Sequence, residues 1–178
     1  AHIIDALHQY LPSDFSETAP ILLRVKQLWP NNSNNSWGPF AAWPIIDYVS
    51  IYGLEHPQIS LDVLKELTEL FSAEFAIRPF LIHHFDITYA MLEQWCDYDN
   101  EHVRRLVSEG SRPRLPWGIR LQKFCIDPKP ILPLLTKLRN DKSLYVRRSV
   151  ANNLNDIAKD HPDIMLKTCE SWQKHASK

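Results

Sequence analysis

The chain has 178 residues, 44% of them apolar and 23% charged, a length and balance that suit one domain with a sizeable core. Four glycines against thirteen prolines argue against a β-barrel or a Gly-loop nucleotide fold, and no apolar run approaches a membrane span. The net charge of −1 hides an asymmetry: residues 1–96 hold 4 Lys/Arg and 11 Asp/Glu, whereas residues 97–160 hold 13 and 8.

Residues 3–11 are short and apolar. Pro20 is suited to open a helix over 21–28, since a first-turn proline loses no intrahelical bond. Residues 29–40, WPNNSNNSWGPF, form a turn-rich loop. Its triplets starting at Asn31 and Asn34 fit the glycosylation pattern, but without a leader they are read as loop. Residues 42–52 are apolar, interrupted by Pro44 and closed by Gly53. Ser60 is placed to cap a helix whose stripe is Leu61, Leu64, Leu67 and Phe71. Pro79 is expected to kink or end the helix that follows Ser72. His83 and His84 resemble a metal pair, yet neighbours diverge on a helix and no further ligand is suitably spaced. No metal site is expected. Cys96, Cys125 and Cys169 are odd in number and widely spaced, which fits reduced core thiols. With no leader segment, a cytoplasmic location is expected.

From residue 86 the chain repeats. Asp86 is placed to cap ITYAMLEQW, DYDN turns, and EHVRRLVSEG is a second helix ended by Gly110. Pro130 then opens ILPLLTKLR, NDKS turns, and LYVRRSVANNLNDIAK is again a second helix. Val103-Arg104-Arg105 returns as Val146-Arg147-Arg148, 43 residues later. Helix pairs recurring every 40–47 residues or so mark HEAT-like solenoids. Two unrelated hairpins that share VRR are the plainer alternative. The expected fold is all-α: a right-handed HEAT-like helical-repeat solenoid, an α-α superhelix, as a single domain over 1–178. Residues 101–108 and 143–159 should lie side by side on its concave face. The last segment begins a third helix pair whose Ile164, Leu166 and Trp172 would lack a partner helix. The chain therefore reads as a fragment or a truncated relative.

Residues 141–160 form the helix around which the chain is organised. Val146, Val150, Leu154 and Ile157 make an apolar stripe, and Arg148, Asn152 and Asp156 make a polar line. Asp141 is placed as a cap and Pro162 as the stop. Asp156 is the odd member, a poor helix former facing the negative end of the dipole. A structural pair with Arg148 would have to span two turns, about 12 Å. Glu109 also opposes a dipole, just before Gly110, and its pairing with Arg105 has the weaker order. Glu74 follows Ser72 near a helix start, where an acid is stabilising in any case. Residues 111–118, SRPRLPWG, are a stiff loop carrying Arg112, Arg114 and Trp117, the last packed on the domain or presented at the surface. Arg104, Arg105, Arg147 and Arg148 cannot all face one way. One of each pair is free to meet phosphate while the other braces a neighbouring repeat.

The segments FSAEFAIRPFL, HVRRLVSEGSRPRLPW and YVRRSVANNLNDIAKDHP, with DYVSIYGLEHP earlier, resemble the bacterial AlkC-type DNA alkylation repair glycosylases. Those belong to a HEAT-like superfamily with AlkD. The resemblance covers most of the chain but not the family's additional N-terminal helix or its C-terminal repeats. It implies a base-excision-repair enzyme that hydrolyses the N-glycosidic bond of N3-alkylated bases such as 3-methyladenine and 3-methylcytosine. It implies no metal or organic cofactor. The implied partner is double-stranded DNA containing alkylated bases, met by a monomer associated with the bacterial nucleoid. The family's acids fall on Glu74, Glu109 and Asp156, and its active-site aromatic on Trp117. The basic residues around them, Arg104, Arg105, Arg112, Arg114, Arg147 and Arg148, are the candidates for DNA contact.

The chemistry suits those residue types. An N3-alkylated base is cationic and leaves readily, so a catalytic acid is unnecessary. The sugar left behind becomes an oxocarbenium cation, which an ionised carboxylate stabilises. A carboxylate can also orient water, and an indole face favours either cation. On this reading Asp156→Asn should preserve folding, because a carboxylate at that end of a helix adds little stability. A non-catalytic HEAT-like scaffold that binds nucleic acid or protein is the alternative function.

Overall fold

Every regular element in the computed structural model, which describes residues 2–29 and 38–176, is helical. The chain falls into two compact units, Ala1–Met91 and Leu92–Lys178. The asparagine-rich triplets at Asn31 and Asn34 lie outside the described residues.

The first unit holds α1 (His2–Tyr10), α2 (Phe15–Leu28), α3 (Trp43–Tyr52), α4 (Pro57–Leu67), α5 (Arg78–His83) and the start of α6 (Phe85–Trp95). Its core is built on α4, whose Leu61, Val63, Leu64 and Leu67 are fully buried against α2 and α3. Three local expectations are corrected here. Helix α2 starts at Asp14, whose carboxylate accepts the backbone N–H of Ser16 at 2.8 Å. Pro20 therefore sits inside the helix. The bond it cannot donate would have gone to the carbonyl of Ser16, on the exposed side where water can replace it. Ser60 is not a cap but a buried residue of α4, and its hydroxyl donates to the carbonyl of Gly53 at 2.6 Å. A Cβ at Gly53 would stand 2.3 Å from that hydroxyl, so the corner between α3 and α4 requires glycine. Pro79 opens α5 rather than breaking a helix, in the first-turn position where proline fits.

The second unit holds the rest of α6, then α7 (Glu101–Gly110), α8 (Gln122–Ile126), α9 (Leu132–Leu138), α10 (Leu144–Asp160) and α11 (Pro162–Ala176). Helices α7 and α10 pack side by side, as the VRR recurrence requires. Val103, Leu106 and Val107 on α7 and Val146, Val150 and Ile157 on α10 are buried. Polar groups join the same seam. The hydroxyls of Ser108 and Ser149 meet at 2.7 Å, and the Asn153 amide donates to the carbonyl of Ser108 at 2.8 Å.

The repeat extends to individual bonds. Asn100 caps α7 by accepting the N–H of His102, and Ser143 caps α10 by accepting the N–H of Tyr145. The first arginine of each VRR reaches back to the turn before its helix. Arg104 donates to the carbonyls of Tyr98 and Asp99 at 2.8 and 2.7 Å, and Arg147 to those of Asp141 and Lys142 at 2.6 and 3.1 Å. Asp141, expected as a cap, serves differently. Its carboxylate accepts the N–H of Ser143 at 2.8 Å and two bonds from Arg104. Helix α10 closes at Asp160, and Pro162 opens α11. Trp172, expected to lack a partner helix, meets α9: its indole N–H donates to Thr136 at 3.2 Å, and the Arg139 guanidinium lies 5.6 Å from its ring.

Candidate active site

The seam between α7 and α10 places Glu109, at the end of one helix, near Asp156, in the last third of the other. Both are nearly closed to solvent, at 4% and 1% exposure. A buried carboxylate is tolerated only with partners, and the loop after α7 supplies the main one. Arg112 donates through Nη1 to Glu109 Oε1 at 2.6 Å and through Nε to Asp156 Oδ2 at 2.9 Å. One guanidinium thus joins the two acids, using the fork that lysine lacks. Burial alone would pull the Arg112 pKa down, but the hydrogen bonds to Asp156 and Glu109 outweigh it and hold it above its ordinary value. Ser149 donates to the other oxygen of Glu109 at 2.7 Å, and Lys159 donates to Asp156 Oδ1 at 3.0 Å.

The same loop is tied to α10 a second time. Arg114 donates through Nε and Nη2 to the two oxygens of Asp160, at 2.7 and 2.5 Å. These ties hold the loop while it presents Trp117, which is 97% exposed. The N–H of Gly118 donates to the carbonyl of Leu115 at 3.1 Å, closing a turn with Pro116 and Trp117 at its centre. Proline at the first central position fixes φ near −65°, and Trp117 follows with φ of 60°. That combination is a type II turn, whose second central position normally takes glycine or asparagine. Trp117 is the only described residue other than glycine with positive φ. A large aromatic, bare to solvent and held in the left-handed region, gains nothing from packing. Strain of this kind at an exposed side chain points to a function for that side chain.

The other candidates are distributed differently. Glu74 belongs to the first unit. It is half-buried in the turn before α5 and accepts the Ser72 hydroxyl at 2.7 Å. Arg104 is 5% exposed and bonded twice to Asp141, at 2.6 and 2.9 Å, so its guanidinium braces two repeats inside the fold. Arg105 lies over the Tyr145 ring, 4.7 Å from its centroid, and 3.6 Å from Glu109. Arg147 is held by carbonyls, and Arg112 and Arg114 by carboxylates. Arg148 is exposed and has no partner among the described residues.

Sequence reasoning did not single out Ser149 or Lys159, nor the bridging role of Arg112. The i, i+3 spacings of Arg112 after Glu109 and of Lys159 after Asp156 were the available signals. Burial also overturns the expectation that Asp156→Asn would be harmless to folding. The carboxylate is enclosed and bonded to two cations, so the charge is part of the packing and not only an unfavourable dipole contact. No group of His, Cys, Asp and Glu among the described residues is arranged to hold a metal ion. No helix among them is long and apolar enough to cross a membrane.

A HEAT repeat family model matches residues 131–161, which contain all of α9 and α10. Over 126 residues, 71% of the chain, the sequence is 52% identical to the uncharacterized protein YhaZ of Bacillus subtilis (strain 168), of which it spans 35%. The fold matches the solved structure of Pseudomonas fluorescens alkylpurine DNA glycosylase AlkC bound to DNA containing an abasic site analog. That match has a TM-score of 0.85 and 44% identity, and covers 96% of this chain and 45% of the other. The chain thus spans less than half the length of either relative. Over nearly all of its length the chain is thus similar, in sequence and in backbone, to that AlkC structure, and it contains a HEAT repeat.

Proposed function

We propose that the chain carries the active site of a DNA glycosylase that removes cationic, N3-alkylated bases such as 3-methyladenine and 3-methylcytosine from double-stranded DNA. The observation that supports this most directly is the pairing of two enclosed carboxylates, Glu109 and Asp156, under Arg112, on a loop that also presents a strained, exposed Trp117. The related AlkC was solved on DNA containing an abasic site analog, the kind of site that base removal leaves behind.

In this reading the alkylated base departs without protonation, because it already carries positive charge. Asp156 lies beside the sugar and stabilises the oxocarbenium cation more than the uncharged sugar of the ground state, which is the condition for a rate effect. Glu109, oriented by Ser149 and Arg112, accepts a proton from the attacking water. Trp117 offers its face to the exposed base or sugar. Arg148 contacts a flanking phosphate. The protein acts as a monomer in the bacterial cytoplasm and uses no cofactor.

The test is incubation of the protein with methylated duplex DNA and detection of free 3-methyladenine and 3-methylcytosine. Release at a rate above that of DNA alone is expected. A folded protein that binds the duplex and releases neither base would refute the enzymatic reading and leave a non-catalytic HEAT-like scaffold.

A further inference from the structure

The two oxygens of Asp156 are held by cations of unlike mobility. Oδ2 belongs to Arg112, whose side chain is 11% exposed and is fixed at its other end on Glu109. Oδ1 belongs to Lys159, whose side chain is 59% exposed and has no other partner among the described residues. The cations within 4 Å of Asp156 or Glu109 are Arg105 from α7, Arg112 from the loop and Lys159 from α10, and Arg114, bonded to Asp160, adds its field from farther off. Of these only Lys159 stands mainly in solvent, and it is the last group over an otherwise enclosed carboxylate.

We propose that Lys159 is an exchangeable counter-ion: in the free protein its ammonium occupies the place at Asp156 Oδ1 that the cationic sugar takes during base removal. This rests on Asp156 being the residue that meets the sugar. An enclosed carboxylate deprived of a cation loses much of what holds its charge, so Lys159 leaves readily only when another cation replaces it. A lysine suits that exchange. Its ammonium is a point charge on a flexible stem, and an ion pair with one partner so exposed is weak. Arg112 cannot do the same without releasing Glu109. The exchange also confers selectivity, since a neutral sugar leaves Lys159 in place and gains nothing from Asp156. The plainer reading is an ordinary i, i+3 helix pair without consequence for the ligand.

The experiment compares two duplexes, one with a cationic pyrrolidine abasic analogue and one with the neutral tetrahydrofuran analogue. Dissociation constants are measured for the full chain and for Lys159→Met and Lys159→Ala, with thermal melting alongside. The methionine variant keeps the apolar stem and removes only the charge. Both variants should bind the two duplexes less tightly in common, through the loss of one positive charge near DNA. The preference for the cationic over the neutral duplex should nevertheless rise about two- to fivefold, the range of an exposed ion pair. An unchanged or reduced preference in Lys159→Met would overturn the counter-ion role. A parent protein that does not prefer the cationic duplex would refute instead the placement of Asp156 at the sugar, and this proposal with it.

Discussion

Replacing Trp117 by glycine is expected to stabilise the protein while weakening its hold on damaged DNA. At 97% exposure the indole buries almost no surface, so its removal forfeits almost no hydrophobic stabilisation. Its φ of 60° costs about 1–2 kcal/mol for an L residue with a Cβ, a cost that glycine escapes. Against this, the glycine loses about 0.5–1 kcal/mol more conformational entropy on folding. The net gain is about 0–1.5 kcal/mol, and each kcal/mol raises the melting temperature of a chain this size by about 2–4 °C. Trp117→Ala keeps the strained backbone and so should melt close to the parent. Both variants lose the aromatic face, worth about 1–3 kcal/mol per stacked base, which corresponds to about 5- to 150-fold weaker binding to a methylated duplex. Melting and duplex binding are measured on the same preparations. If the glycine variant melts several degrees below the parent, the indole is a packing residue. Binding by the alanine variant at the parental level would remove Trp117 from the site.

Asp156→Asn should lower single-turnover release of 3-methyladenine by about 10²–10³. It should also destabilise the fold by about 1–3 kcal/mol, because Arg112 and Lys159 lose a charged acceptor; parental release would exclude Asp156 as the catalyst. The hydrogen bonds of Asp141 from Arg104 and the Ser143 N–H outweigh the upward push of burial and hold its carboxyl below the usual range. A lowered folded pKa gives stability that is present above the unfolded value of about 3.9 and lost as the pH falls. Melting followed from pH 6 to 3 should therefore drop less steeply in Asp141→Asn than in the parent. Arg148→Ala should weaken binding to damaged and undamaged duplex alike and reduce the salt slope by about one unit, and an unchanged slope would place Arg148 away from the phosphates.

The second unit was more legible than the first because its signals are local. Helices α7 and α10 carry apolar stripes and turn residues that any helical hairpin would need, and the VRR period ties them together. The errors in the first unit arose where tertiary context decides between equal local options. Pro20 fits a first turn or an exposed helix interior, and only the solvated side of α2 distinguishes them. Ser60 fits a cap or a buried contact, and only the approach of Gly53 settles it. Glu109 and Asp156 stood out in the sequence mainly through the resemblance to the AlkC-type enzymes, with the opposed helix dipole as the local sign. Their shared partner did not, since Arg112 lies 44 residues from Asp156 along the chain. The left-handed backbone of Trp117 was equally hidden, because Pro116 and Gly118 flank an ordinary type I turn just as well.

Asp141 has a consequence for how the second unit comes apart. Its carboxylate is bonded to Arg104 of one repeat and its carbonyl to Arg147 of the next. Repeat proteins often fray from an end, each repeat leaving its neighbour nearly intact. Here the two arginines converge on one residue in the turn that joins the repeats, so freeing either helix strips partners from the other. Amide protons of α7 and α10 should consequently exchange with deuterium as a single cooperative group, and Asp141→Asn should split that group in two.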